Sequence, residues 1–561
     1  MKYIPFNLCS RYAFFSLAIL LFFFYSSCKK GKTDTPTHTD TSLSFTVNDL
    51  NNGTLKYTDL NLKPAIKFTF TEAINTTTVA TGISLTDALG ATIPVTTTFQ
   101  DANKILLISP QNDFKSFSIY NLIINNTLKS AGGGRLINPV NITLISGIDN
   151  TDKFPRITDD ELLTLVQKQT FKYFWDFAHP TSGLTRERNT SGDVVTTGGS
   201  GFGLMAIITG INRSFITRVE GLARMQKIVG FLKNNVTKYH GAYPHWLNGN
   251  TGATVPFSTK DNGADLVETS YLMQGLITAR QYFTGADAAE TTLRTDINSI
   301  YNGVEWAWFR KDGGNVLYWH WSPTYNWDLN LPIKGWNECL ITYVMAAASP
   351  TSSISKVVYD QGWAQNGAMK NGNTHYGVPL PLGVANGGPL FFAHYSFLGI
   401  NPTGLVDAYA NYETQTKNHT LINRGYCIAN PKGYPNYGAD CWGLTASDIP
   451  NGYAASSPTN DLGVIAPTAA ISSMPHTPTE SMAALRFFYY KLGDKLWSDY
   501  GFVDAFKLSD PWFATSTLAI DQGPIIIMIE NHRSKLLWNL FMSASEIKTG
   551  MKNLGFSSPN L

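Results

Sequence analysis

The chain has 561 residues, with 43 Lys+Arg against 41 Asp+Glu. It is too long for one small domain and can bury a sizeable core in at least two units. The even charge balance offers no footprint for a polyanion, which excludes nucleic acid as a partner. Aromatics make up 13% of the chain and charged residues only 15%. That surplus of flat amphipathic side chains fits either an aromatic-rich core or faces on which sugar rings pack.

In chain order, Lys2 and Arg11 precede an apolar stretch, Tyr12 to Tyr25, too short to span a bilayer comfortably, and "SSCKK" follows. The segment resembles a bacterial lipoprotein signal. That resemblance implies removal of residues 1–27 and lipidation of Cys28, with Ser26 and Ser27 at the processing site and Tyr25 in place of the more usual Leu. An uncleaved anchor helix is the alternative, and it tethers the chain to a membrane equally well. Either reading places the folded part outside the cytoplasm, and the lipoprotein reading implies an exported protein of the outer membrane facing the periplasm or the cell surface. Residues 28–42, polar and Thr-rich, read as a flexible tether. Beyond the signal only Cys339, Cys427 and Cys441 remain. Export permits one disulfide, for which Cys427 and Cys441 are closest in sequence, and no metal cluster is indicated.

From 43 to 148 short β-branched runs such as "LSFTV", "AIKFTFT" and "KILLISP" alternate with turns such as "NNG" and "AGGG". This spacing predicts an all-β sandwich. The module resembles the bacterial immunoglobulin-like domains of secreted proteins, and a spacer or docking role is expected of it. From 155 to 561 the period becomes helical, beginning with Leu162, Leu165, Val166, Phe171, Phe174, Trp175 and Phe177. Further helical stretches are expected near Gly203–Ile211, Arg218–Leu232, Leu266–Phe283, Leu293–Phe309, Glu338–Ala348, Phe391–Leu398, Leu405–Tyr412, Glu480–Trp497 and Pro524–Phe541. Helical hairpins joined by long Gly-, Pro- and aromatic-rich loops fit a mainly α fold, an (α/α)6 toroid behind the N-terminal sandwich.

The segment "KDNGADLVETSYLMQGL" sets Asp261, Asp265 and Glu268 at a helix start. Asp265 and Glu268 have the form of a helix cap with its third-position acid, and structure alone accounts for them. If the turn from Asp261 is helical, however, the three acids share one face with no Lys or Arg between them. Clustered like charges raise some of their pKa values, as a catalytic acid requires. Glu338 in "GWNECL" and Asp521 in "DQGP" also stand at expected helix starts, with a first-turn acid and an N-cap as their structural alternatives.

Other chemistries find little support. "GFGLMA" (Gly201 to Ala206) meets a loose dinucleotide pattern without the strand–helix–strand unit around it, and reads as a flexible turn entering a helix. No H-E-x-x-H, paired C-x-x-C, G-x-S-x-G or P-loop occurs. His240, His245, His375, His394, His476 and His532 are scattered, and hydrogen-bonded core or pocket positions are expected for them rather than metal ligation. Carboxylates and aromatics remain, the equipment of glycoside hydrolysis.

From about Asp159 onward the blocks "GGSGFGLMAIITGINRSFITRVEGLARMQKIVGFL", "GAYPHWLNGNTGATVPFSTKDNGADLVETSYLMQGLITARQYF", "GWNECLITYVMAAASP", "GGPLFFAHYSFLGINP" and "IDQGPIIIMIENHRS" resemble the bacterial β-1,2-glucanases of glycoside hydrolase family 144, within the glycoamylase-like group. The resemblance implies an α/α-toroid hydrolase that cleaves β-1,2-glucan with inversion, without metal or cofactor. It also implies roles: Glu338 as general acid, Asp521 as water-activating base, and Asp261, Asp265 and Glu268 as an acidic cluster that holds sugar hydroxyls or tunes pKa. Arg218, Phe202, Trp246, Trp336, His394, Tyr395 and Trp442 are expected as subsite walls, with core positions as their alternative. Attack within the chain or release of sophorose from an end both remain open. Two other readings stand beside this one: a hydrolase or transglycosylase acting on another glucan, and a non-catalytic, lipid-anchored glycan-binding protein.

Overall fold

A computed structural model of the protein describes residues 38–561, so the signal segment, Cys28 and most of the tether lie outside the described residues. The N-terminal module is a sandwich of two four-stranded sheets. One runs β1 (Leu43–Val47), β3 (Ile66–Phe70), β6 (Ile105–Pro110), β5 (Val95–Gln100); the other runs β2 (Lys56–Leu60), β8 (Val140–Ser146), β7 (Ile119–Ile124), β4 (Ile83–Asp87). All pairs are antiparallel except β2 with β8. The alternating pattern of β6 and β7 turns Leu106, Ile108, Leu122 and Ile124 inward, where they pack with Phe68, Ile142 and Leu144. The tether joins this module earlier than its composition suggests: Thr41 is buried, its N–H donates to Arg135 O at 2.8 Å, and Ser130 Oγ donates to Thr39 O at 2.7 Å. Short polar side chains make these local hydrogen bonds readily, which hydropathy does not register.

Beyond Asp159 the chain forms a double ring of helices. The inner ring is built from Thr197–Asn212, Leu266–Tyr282, Leu340–Ala348, Tyr395–Leu398, Pro467–Ile471 and Ala519–Ser534, and the last of these packs back against the first to close it. The outer ring includes Asp159–Trp175, Arg218–Asn234, Ala288–Asn302, Tyr412–Ala429 and Pro478–Arg486. Inner helices are buried almost all round, which is why no polar stripe marks them in the sequence. Outer helices begin at sequence-legible caps: Thr158 with Glu161 and Thr217 with Glu220 form capping boxes.

Gly201 and Gly275 let two inner helices touch. A Cβ on Gly201 would meet Tyr271 O at 2.2 Å, and one on Gly275 would meet Gly201 O at 2.1 Å. The "GFGLMA" run is therefore helix interior at a close crossing and not a flexible turn. Two further expectations change. Residues 405–411 are not helical, the helix there beginning at Tyr412, and the helix holding Pro524 begins five residues earlier, at Ala519.

Candidate active site

The loops at one mouth of the ring enclose a cleft of about 440 Å³. Glu268 and Glu338 line it, with Glu187 and Arg188, and the aromatic side chains of Trp246, Phe257, Tyr271, Trp319, Phe391, Tyr395 and Tyr453 complete much of its wall. Through Arg188 and Tyr453 it continues into an open trough of about 600 Å³, walled by Asp448, Trp512 and Phe513.

Asp265 is the N-cap of the helix Leu266–Tyr282, and its Oδ1 accepts from Val267 N and Glu268 N, both at 2.9 Å. Glu268, in the first turn, accepts at Oε2 from Gly198 N at 2.7 Å. Gly198 belongs to the first turn of the neighbouring inner helix, whose free N–H groups favour an anion there. A Cβ on Gly198 would stand 2.6 Å from that same Oε2, so only glycine permits the contact. Asp261 is not helical, which removes the expected shared helix face. It reaches the cluster through the loop before the strand pair Ala264–Asp265 and His320–Trp321, which sets Asp265 opposite His320.

Two histidines hold these acids together. His245 Nδ1 lies 3.0 Å from Asp265 Oδ2 and 3.9 Å from Asp261 Oδ2, and its Nε2 lies 4.0 Å from Glu268 Oε1. His320 Nε2 lies 3.3 Å from Asp261 Oδ2 and 3.5 Å from Asp265 Oδ2. Burial pulls the His245 pKa down, but the fields of Glu268, Asp265 and Asp261 outweigh it and carry the pKa up to about 9. Burial, then the Asp265 charge, raises Asp261 to about 6. Burial also disfavours the Asp265 anion, yet the hydrogen bonds of His245 and His320 overcome it and hold this carboxyl below the usual range. The His245 ring stacks on Phe257 at 4.2 Å, and Phe257 itself is half exposed at the mouth of the cleft. In the sequence His245 is one of several scattered histidines, and no motif singles out His320, Glu187, Asp448 or Asp504. The "YPHW" stretch beside the acidic segment was the available signal for His245.

Glu338 ends the loop before the helix Leu340–Ala348, whose N-cap is Cys339. It is 9% exposed and faces the cleft. Burial, with the charges of Asp265 and Glu268 behind it, raises its pKa to about 7. The carboxyl is therefore substantially protonated near neutrality, as a general acid must be.

Asp521 sits in the first turn of the helix Ala519–Ser534, whose N-cap is Leu518, so its carboxyl is not a cap. Only 2% of it is exposed, and the cleft wall over this turn is made by its neighbours Leu518 and Ile520. It belongs to a second acidic group with Asp504 and Asp448, the last bound by Arg188 Nη1 at 3.2 Å.

Of the expected walls, the cleft contains Trp246 and Tyr395. Phe202 is fully buried behind Tyr271 and Tyr395, 5.5 Å from each ring. Trp336 lies in the core, its Nε1 donating to His419 Nδ1 at 3.4 Å. His394 is buried against Ser473 at 2.9 Å, and burial holds it well below the usual imidazole pKa. Trp442 is fully buried in the core shared by the outer helices. Arg218 stands on the outer ring, paired with Glu290 at 2.9 Å. These five do not line the cleft, because apolar side chains beside the signature loops also serve inner-ring packing, and Arg218 follows a helix cap instead of a loop end. Cys339, Cys427 and Cys441 are free and buried, so the permitted disulfide is not formed.

A closed double ring of helices with a carboxylate-lined, aromatic-walled cleft defines the helical-toroid class of glycoside hydrolases. The bacterial Ig-like domain model matches residues 52–144 and the putative glucoamylase model residues 330–545. A putative glucoamylase from Bacteroides uniformis is 56% identical, with a TM-score of 0.72 over 73% of this chain and 100% of that one. An endo-β-1,2-glucanase from Chitinophaga pinensis, solved with sophorotriose and glucose, is 51% identical, with a TM-score of 0.71 over 72% of this chain and 100% of that one. An exo-β-1,2-glucooligosaccharide sophorohydrolase (non-reducing end) from Parabacteroides distasonis is 47% identical over 421 residues, 71% of this chain. The match spans 58% of that relative's length. The chain belongs to the glycoamylase-like family of bacterial β-1,2-glucanases, glycoside hydrolase family 144.

Proposed function

We propose that this protein hydrolyses the glucosidic bonds of β-1,2-glucan or its oligosaccharides by acid–base catalysis with inversion. The observation that carries this reading is Glu338, a cleft-facing carboxyl whose pKa is raised to about 7, set in one cleft with Glu268 and aromatic walls. Glu338 donates its proton to the leaving glycosidic oxygen as the C–O bond breaks. A water on the opposite face of the sugar attacks the anomeric carbon, and its proton passes to Asp521, the base. Glu268, fixed by Gly198, accepts from sugar hydroxyls; burial raises its pKa, and the nearby His245 and the Gly198 N–H act against that rise. Trp246, Phe257, Tyr395 and Tyr453 offer the flat faces on which successive glucose rings lie.

The similarity to one relative that acts within chains and another that acts at a non-reducing end supports the substrate and leaves two modes of attack. A time course of products from linear β-1,2-glucan distinguishes them. Mixed oligosaccharides appearing early mean internal cleavage, and sophorose alone means end release. Absence of any reducing ends from wild-type protein, with binding retained, would favour a glycan-binding protein instead.

We also propose that the chain is exported and held at the outer membrane by a lipid on Cys28, the resemblance of residues 1–28 to a lipoprotein signal being the support.

A further inference from the structure

Asp504 lies in the short segment between the strands Gly501–Phe502 and Phe506–Lys507, and it is 2% exposed. Its Oδ2 accepts from Asp448 N at 2.6 Å, while its Oδ1 is buried with no partner. Asp521, equally buried, likewise has one sealed oxygen without a partner, Oδ2. Each carboxyl acts on the ionisation of the other, which sets the two side by side in this buried space. Two carboxylates touching in a buried site cannot both remain ionised. One proton between them satisfies both orphaned oxygens at once and halves the charge. Asp521 Oδ1 is not sealed in this way, which leaves it as the oxygen of the pair open to receive a further proton.

We propose that Asp504 is the positioning residue of the base, sharing a single proton with Asp521 through Asp504 Oδ1 and Asp521 Oδ2. This deepens the proposed function and rests on Asp521 as base. When the attacking water forms its bond to the anomeric carbon, its O–H bond breaks and the proton binds Asp521 Oδ1. The shared proton then passes wholly to Asp504, so the pair goes from one negative charge to none. Glu338, having given its proton to the leaving oxygen, carries the negative charge. Proton exchange with solvent restores both after product release. Without Asp504 the base would be a single carboxylate that takes the water's proton alone, with no neighbour to hold its Oδ2 and fix which oxygen receives it.

The charged and titratable groups around the pair are Asp448, Arg188, Glu187 and the phenols of Tyr395 and Tyr453, of which all but Asp448 also line the cleft. Burial first, then the neighbouring carboxylate, raises Asp521 well above the usual range, and burial raises Asp504 to about 6. Arg188 is fully engaged by Glu187 and Asp448. It therefore leaves the pair to share its proton internally.

The test compares wild type with Asp504→Asn and Asp521→Asn on β-1,2-glucan. Each preparation is checked for an intact circular dichroism spectrum. Asp504→Asn is expected to lower kcat about tenfold or more with KM within about twofold, and to shift the acidic limb of the kcat–pH profile. In protein carrying 13C-labelled aspartate, infrared spectra at about pH 8, above the range of Asp261, should show a protonated carboxyl in wild type. That band should be missing in Asp504→Asn. An unshifted profile together with an absent band in wild type would overturn the proposal. If Asp521→Asn retains activity, it is the assignment of Asp521 as base that fails, and the infrared result still decides whether the pair shares a proton.

Discussion

His245 Nδ1 stands 3.0 Å from Asp265 Oδ2, so the residue that caps a helix also orients an imidazole at the cleft. The pKa of His245 is raised from its ordinary 6.5 to about 9. Its protonation therefore adds stability that is fully present below about pH 6.5 and is lost as pH rises through about 9. In His245→Gln the decline of Tm between those limits should flatten, and two-dimensional NMR of wild type should show one imidazole titrating near 9. A His245 titrating near 6.5 would contradict this placement of charges.

Glu338→Gln should reduce kcat by about 10²–10⁴-fold. In wild type, activity should fall as pH rises through about 7, where Glu338 loses the proton it must donate. Because a buried neutral amide replaces a carboxyl that is costly to ionise, the variant should be more stable than wild type above pH 7, by about 3 kcal/mol. Thermal melts at acid and alkaline pH provide the comparison.

Phe257 is half exposed and stacks on His245, so it serves the mouth of the cleft and not the core. Phe257→Ala should raise KM by about two- to tenfold, the worth of one aromatic contact, with a smaller change in kcat. Initial rates over a range of oligosaccharide concentrations measure both.

Trp336 and Arg218 should behave as structural residues. Trp336→Ala should cost about 3–5 kcal/mol of stability by opening a cavity in the inner ring. Arg218→Ala should cost about 1–3 kcal/mol by leaving buried Glu290 without its cation, and KM should stay unchanged. A large rise in KM for a folded Arg218→Ala protein would return it to the substrate site.

If Cys28 carries the lipid, Cys28→Ser should move the full-length protein from the membrane to the soluble fraction and remove its labelling by a fatty-acid analogue. The catalytic rate of the released protein should match that of the anchored form.

What the sequence determined by itself was what local chemistry expresses. Short β-branched runs such as "KILLISP" between turns, and the Thr-x-x-Glu caps at Thr158 and Thr217, marked strands and helix starts, because propensity and hydrogen bonding act over a few residues. The acids Asp265, Glu268, Glu338 and Asp521 were legible as candidates because each stands at a helix start beside Gly, Trp or Asn, although helix capping accounts for such acids as well. Tertiary structure alone decided which of them face the cleft. Closure of the ring brought Gly198 to Glu268 across 70 residues and His320 to Asp265 through a two-residue strand pair. It also buried Trp336 and His394, which sit in the same signature blocks as the cleft residues Glu338 and Tyr395. An aromatic beside a functional loop looks alike in sequence whether it packs inward or lines a cavity, since both environments are apolar. The Asp504–Asp521 contact was invisible for a related reason: a carboxylate pair acquires its chemistry from distance and burial, and neither is a property of residues 17 positions apart in a chain.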